Sequence, residues 1–330
     1  MDATIKRNEQ FDYIRAISVV MVILHHCVDN YVTITADASI IIRLTIVLLH
    51  TCHVPFFLIV AGYFCHEQSI LGFYKKKFQK ILIPFVFFSL LKLIYSAFVS
   101  NEFAHGGDSI FGQFKYSFLI GRQYWFIYTI LGIYIIAPLF WTKANKEQSN
   151  SMIWLFVSYI TVCIIAVFGI NVPELFQIDH IINYLPYFIF GCVLRQKQTQ
   201  IISIAERIDK KISMSIAIFL ILSFLATYIY YPAIRNYPVR FLIAVLAFFI
   251  IFEGTKSIKG NAILGIVSKY SLQVMFFDGI FRTIIFSILS RIKCVNILTA
   301  IITSVLVIVF SVLSCKVIER IPIVKTFVGI

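Results

Sequence analysis

The stretch Phe11–Tyr31, FDYIRAISVVMVILHHCVDNY, is long and apolar enough for a bilayer-crossing helix, yet Asp12, Arg15, His25 and His26 lie in it or at its ends. An ionisable group in hydrocarbon costs about 2.5–3.5 kcal/mol on insertion scales unless it meets a partner or water, so such residues point to function. Arg15 and His26 are 11 residues apart. At about 100° per residue that is about 20° past three whole turns, with a rise of about 16 Å, so the two share a face. Asp12, three residues before Arg15, joins that face and can hold the guanidinium. His25 is turned about 100° away. A histidine in this position can take a proton and return it near neutral pH, and the arginine three turns off can hold an anionic group. The alternative is that these are interfacial residues at the two ends of one span.

Other polar residues in apolar stretches carry less pattern. Asp278 and Arg282 stand at i, i+4, which predicts a bundle-facing carboxylate with Arg282 as its local partner. A catalytic carboxylate and a structural ion pair both fit that spacing. His50 and His53 share a face at i, i+3, but no carboxylate stands at ligand spacing and Cys52 points elsewhere, so no metal site is expected. The seven cysteines form no CxxC or CxxH pair, which argues against a disulfide framework or a zinc site. Gly62 is expected at a close helix contact. Dinucleotide, phosphate-loop, hydrolase-elbow and zinc-protease motifs do not occur.

The elements that must position these residues follow from composition. Of 330 residues 60% are hydrophobic and only 14% charged, which excludes an ordinary soluble domain and disorder. Apolar runs between polar breaks predict an all-α integral membrane bundle of about ten helices, near 11–31, 40–64, 81–99, 124–141, 152–170, 180–195, 213–231, 237–253, 270–290 and 295–315. The polar stretch Met1–Gln10 leads straight into the first run with no cleavage-site pattern, so that helix is expected to stay as an anchor. One transmembrane domain over 1–330, with no appended soluble domain, is expected. The net charge of +13 sits in short loops, which points to the lipid bilayer and not to nucleic acid. With the N-terminus inside, and with Arg15, Lys92 and Arg282 set aside as lying within helices, 19 Lys and Arg fall on the cytoplasmic side and 7 outside. That split predicts both termini in the cytoplasm. The outer segment 100–123 is polar first and aromatic later, consistent with a part lying along or re-entering the membrane.

The D-Y-I-R run followed by an apolar stretch to H-H closely resembles the start of the membrane acyltransferase-3 family, whose hallmark is a basic residue, ten residues, then His. Further resemblances follow in order. They are His53-Val54-Pro55-Phe56-Phe57 through Ala61-Gly62-Tyr63, then Lys75-Lys76-Lys77-Phe78-Gln79-Lys80 before Pro84, then Tyr124-Trp125-Phe126-Ile127-Tyr128 to Tyr134 and Pro138. Tyr187-Phe188 to Gly191 and Ser268-Lys269-Tyr270-Ser271-Leu272 complete the set. The resemblance runs from residue 11 to about 325. Two positions depart from it. Ala61 stands where many members have Ser, and Asp278 stands where many have His. A carboxylate replaces imidazole as a hydrogen-bond acceptor but not as a neutral proton shuttle.

The resemblance implies a multi-pass enzyme of a bacterial-type cytoplasmic membrane, moving an acyl group, most simply acetyl from acetyl-CoA, to a hydroxyl of a cell-surface polysaccharide or its lipid-linked sugar precursor. It implies His26 and Arg15 as catalytic, with Asp12 supporting Arg15, and makes Asp278, at the position that departs from the family, the candidate to take over the acceptor-side role. Lys76, Lys77 and Lys80 suit the coenzyme A phosphates as point charges and Arg15 suits the donor's anionic part or the positioning of the reacting group, a positive-inside signal that also attracts anionic lipid being the alternative for the lysines. The resemblance favours Lys77 and Lys80, with Lys replacing Arg in the family's basic pair and losing the bidentate fork. Arg122, Trp125, Tyr128 and Tyr63 are implied on the acceptor side, an aromatic belt with a snorkelling Arg122 being the alternative. A separate glycan-assembly partner protein would complete the transfer. The rival function is a carrier or flippase for a glycan precursor, but the paired Gly/Pro-broken helices and inverted repeats of such proteins are not seen.

Overall fold

The structure, a computed structural model, describes residues 9–37, 39–66, 68–95, 110–121, 124–141, 150–198, 200, 210–230 and 237–330. Among these residues every regular element is helical. Seven stretches are long and apolar enough to cross a membrane: Glu9–Thr35, Ile40–Tyr63, Phe118–Phe140, Ser151–Phe168, Pro238–Thr255, Ser271–Arg291 and Ile297–Ile318. Residues such as Ile153, Phe156, Val167, Leu298 and Val305 are exposed on them, as lipid-facing side chains must be. Three helices at other expected positions do not meet that standard. The helix Ile83–Tyr95 is short as described, Ile178–Gln196 carries Asp179, His180, Asn183 and Arg195, and Lys210–Tyr230 has only the apolar stretch Met214–Thr227.

The contacts divide the chain into two compact units, each assembled from separated segments: 1–60 with 202–315, and 61–201 with 316–330. In the first unit, α1 (Glu9–Thr35) packs against α10 (Tyr237–Thr255), α11 (Ala262–Lys269) and α12 (Ser271–Arg291). Phe11 meets Phe252 at 5.5 Å, and Ile14 and Ile23, half a turn apart around the axis, are both fully buried together with Val19, as befits a helix packed on more than one side. The part of α2 (Ile40–Tyr63) in this unit sets Phe56 against Phe248 of α10 at 5.8 Å, and Val47 joins a cluster with Phe224 and Leu225 of α9 (Lys210–Tyr230) and Ile243 of α10. Asn261 starts α11 by accepting from the Leu264 N–H. Between α12 and α13 (Ile297–Ile318) a turn with Lys293 at φ 53° exposes Cys294; Cys163 is half-buried and the other five cysteines are buried.

In the second unit, α3 (Ile70–Lys77) is capped by Ser69 and runs through a wide turn, Phe78–Leu82, into α4 (Ile83–Tyr95). Pro84 explains the wide turn, since it lacks the N–H that would bond the Lys80 carbonyl and its ring crowds that oxygen. The C-terminal α14 (Pro322–Val328) docks there. Phe327 lies 5.7 Å from Phe87, and Gly329, at φ +76°, sits where a Cβ would fall 2.5 Å from Pro84 and 3.0 Å from the Lys80 carbonyl. After the short α5 (Ile110–Phe114), the helices α6 (Trp125–Ile136) and α7 (Ser151–Phe168) both pack on α8 (Ile178–Gln196). The Gln196 amide bonds the Ser151 hydroxyl at 2.8 Å. Gly62 is the close contact expected of it: a Cβ there would fall 1.9 Å from the Phe188 carbonyl oxygen of α8.

Candidate functional site

Two helices of the first unit build the site. On α1, His26 and Asn30 stand at i, i+4; on α12, Asp278 and Arg282 do the same, so each pair lies one turn apart on one face. The faces meet. His26 Nδ1 lies 2.7 Å from Asp278 Oδ2, and Arg282 Nε donates to the same carboxylate at 3.2 Å (Oδ1) and 3.4 Å (Oδ2). Arg282 Nη1 reaches across to Asn30 Oδ1 at 2.7 Å. Asp278 is 3% exposed, and its charge is tolerated because the guanidinium and the imidazole N–H share it.

The arrangement fixes a tautomer. The carboxylate accepts, so His26 carries its proton on Nδ1 and presents a lone pair on Nε2. The imidazole side chain is 35% exposed, which leaves it within reach of a substrate. A histidine oriented by a buried carboxylate is suited to take a proton from a hydroxyl and hand it on.

Sequence spacing anticipated the Asp278–Arg282 pair. It did not anticipate that the pair holds His26, from which Asp278 is 252 residues away, or that Asn30 anchors Arg282. The one local signal for Asn30 is its i+4 position from His26. The His25 ring packs against His50 and His53, at ring distances of 5.5 and 5.1 Å, with the His26 ring 5.6 Å away.

At the N-terminal end of α1, Arg15 Nη1 lies 3.5 Å from Asp12 Oδ1, the pair expected from their spacing, and the Ser268 hydroxyl donates to the same oxygen at 3.3 Å. A cleft of about 420 Å³ opens beside them, lined by Glu9, Asp12, Tyr13, Asn261, Ile266 and Lys269 among others. The Tyr13 hydroxyl donates to Glu9 at 3.1 Å and accepts from the Asn261 N–H at 3.0 Å, which ties α1 to the start of α11.

The remaining candidates belong to the second unit, and most are engaged within it. The Lys77 ammonium lies 3.7 Å from the Tyr134 ring centroid and 5.3 Å from that of Phe73, a cation–π arrangement. Lys76 and Lys80 are exposed. The Tyr63 hydroxyl bonds Gln198 at 2.8 Å, and the Tyr128 hydroxyl donates to the Phe118 carbonyl at 2.7 Å. Trp125 packs on His180 at 4.7 Å and Tyr184 at 5.5 Å, so His180 is an aromatic neighbour the sequence reading had not singled out. Arg122 lies outside the described residues.

A search of curated proteins and a search of solved structures each found no match. A family model described as an acyltransferase domain matches residues 8–316, which takes in both pairs of the site and nearly the whole chain. The protein is therefore a membrane acyltransferase and belongs to the acyltransferase-3 family.

Proposed function

We propose that this acyltransferase moves acetyl from acetyl-CoA to a hydroxyl of a cell-surface polysaccharide or of its lipid-linked sugar precursor. The observation that carries the reading is the 2.7 Å contact between His26 Nδ1 and the buried Asp278, which leaves Nε2 as a base. The thioester supplies an activated carbonyl carbon: the acceptor oxygen bonds to it, the C–S bond breaks, and the hydroxyl proton ends on the released thiol. His26 Nε2 takes that proton from the hydroxyl and returns it to the leaving sulfur. Asp278 keeps the ring in the right tautomer and balances the imidazolium while the proton is held there. Arg282 and Asn30 position Asp278 and are not themselves reacting groups.

Donor binding is assigned to cations. Arg15, steadied by Asp12, holds an anionic part of the donor, and the exposed Lys76 and Lys80 suit its phosphates as point charges. Lys77 contributes less, because its ammonium is turned onto Tyr134. We place the enzyme in a bacterial-type cytoplasmic membrane as a ten-helix bundle with both termini cytoplasmic, acting beside glycan-assembly proteins. Tyr63, Trp125, Tyr128 and Arg122 remain our acceptor-side candidates. A carrier for a glycan precursor is the weaker reading, since a membrane conduit does not need a base oriented by a carboxylate.

The test is mass analysis of the surface glycan from cells with and without the protein, and with His26→Ala. A gain of about 42 mass units per acetyl that depends on both the protein and His26 supports the reading; the same gain with His26→Ala overturns it.

A further inference from the structure

His50 of α2 and Arg240 of α10 are not used by the base just described, yet they complete a cluster around it in the same unit. Arg240 Nη1 lies 3.3 Å from His50 Nδ1. A guanidinium only donates, so Nδ1 of His50 must accept, the ring is neutral, and its proton is on Nε2. This is the opposite tautomer to that of His26. One imidazole is fixed as an acceptor of protons and the other as a donor of a hydrogen bond.

The His25 ring bridges them, 5.6 Å from His26 and 5.5 Å from His50. His53, 5.6 Å from His50 and 5.1 Å from His25, is almost fully buried and packs the cluster without reaching its surface. The Nδ1 atoms of both His25 and His53 are buried without a hydrogen-bond partner, so neither ring has its tautomer fixed through that nitrogen. His50 is only partly buried. Among the described residues no group of three or more His, Cys, Asp or Glu is arranged to hold a metal. Arg240 itself falls within the expected run 237–253 and is one of the seven charges assigned to the outer side; it lies in α10, inside the candidate span Pro238–Thr255, where a cation is costly unless it serves a purpose.

We propose that His50 is a second catalytic residue, whose Nε2–H donates a hydrogen bond to the acyl carbonyl oxygen as negative charge builds on it. Arg240 is its positioning residue, fixing the tautomer. The proposal rests on the acyl-transfer reading above and adds the electrophilic half of the site. No proton leaves His50. The carbonyl π electrons move onto oxygen as the acceptor attacks and return as the C–S bond breaks, and the donated hydrogen bond is strongest between those events. A neutral imidazole polarising a carbonyl is an established way to supply such a donor, and loss of one donor of this kind costs about 10²–10³ in kcat.

The amide nitrogen of Gln overlays Nε2 of histidine, whereas that of Asn overlays Nδ1, so the two substitutions separate the roles. The experiment uses purified protein in proteoliposomes, acetyl-CoA, and host polysaccharide stripped of its acetyl groups by mild alkali, with thiol release as readout per mole of folded protein. His50→Ala and His50→Asn should lose about 10²–10³-fold in kcat, and His50→Gln no more than about tenfold. Arg240→Gln should lose at least about tenfold in the wild-type background and about twofold when Gln already stands at position 50, since an amide needs no tautomer fixed. His50→Gln as inactive as His50→Ala would overturn the proposal in favour of proton transfer or ligation by His50. Full activity in His50→Ala alongside an inactive His26→Ala would also overturn it while leaving the acyl-transfer reading intact. Absence of polysaccharide-dependent thiol release in the wild type would instead overturn that reading, and the proposal with it.

Discussion

The chemistry at the residue scale turns on one carboxylate serving a permanent cation, Arg282, and a histidine that becomes a cation when it takes a proton. Asp278 accepts from His26 and from Arg282, so its removal has two separable effects. Asp278→Asn should lower turnover about 10²–10⁴-fold through the loss of an oriented base. It should also lower the amount of folded protein, because breaking a buried pair from one side costs about 3–5 kcal/mol. Adding Arg282→Gln should restore the protein level and not the turnover, which immunoblotting and thiol release check together. At the other end of α1, Arg15→Lys keeps a charge near Asp12 and loses the planar fork, so its KM for acetyl-CoA should rise less than that of Arg15→Ala. Much of this was legible. The Asp12–Arg15 and Asp278–Arg282 pairs follow from helical spacing, which is a local property. The His26–Asp278 and His50–Arg240 contacts join residues 252 and 190 positions apart, and no periodicity relates helices that meet only after folding.

Elements were legible where an apolar run is long and obscure where it is short. Every expected run carries a helix, but α3 and α11, of eight residues each, are too short to stand out as spans and were not foreseen. Their ends are nonetheless written locally, in Ser69 and Asn261 as caps. Arg240, inside the expected run 237–253 and in the first turn of α10, reads locally as a charge at the outer end of a span, and its contact with His50 is not local information. The contact between α2 and α8 at Gly62 sets a strict limit on side-chain size. With a Cβ due 1.9 Å from a backbone oxygen, Gly62→Ala must push the helices apart and should destabilise the protein by about 1–3 kcal/mol, read as a lower melting temperature in detergent.

For the whole molecule, the charge distribution is the stronger guide to orientation, since a bundle of helices has no intrinsic inside. Reporter fusions after Ile330 should therefore read cytoplasmic and one at Glu174 external; an external reading at Ile330 would mean an odd number of crossings. The two compact units are each stitched from distant segments, so the contacts that join those segments close large loops. Such closure is costly in chain entropy, which predicts slow refolding from denaturant compared with a bundle of sequential hairpins. Cys294, exposed in the turn after α12, has a different use. With the other thiols buried or half-buried, a membrane-impermeant maleimide should mark this one position on intact cells, turning a native side chain into an attachment point for a spin label or fluorophore. Because the same helix carries Asp278 and Arg282, such a probe would report motion of the site's supporting element during turnover without any engineered cysteine.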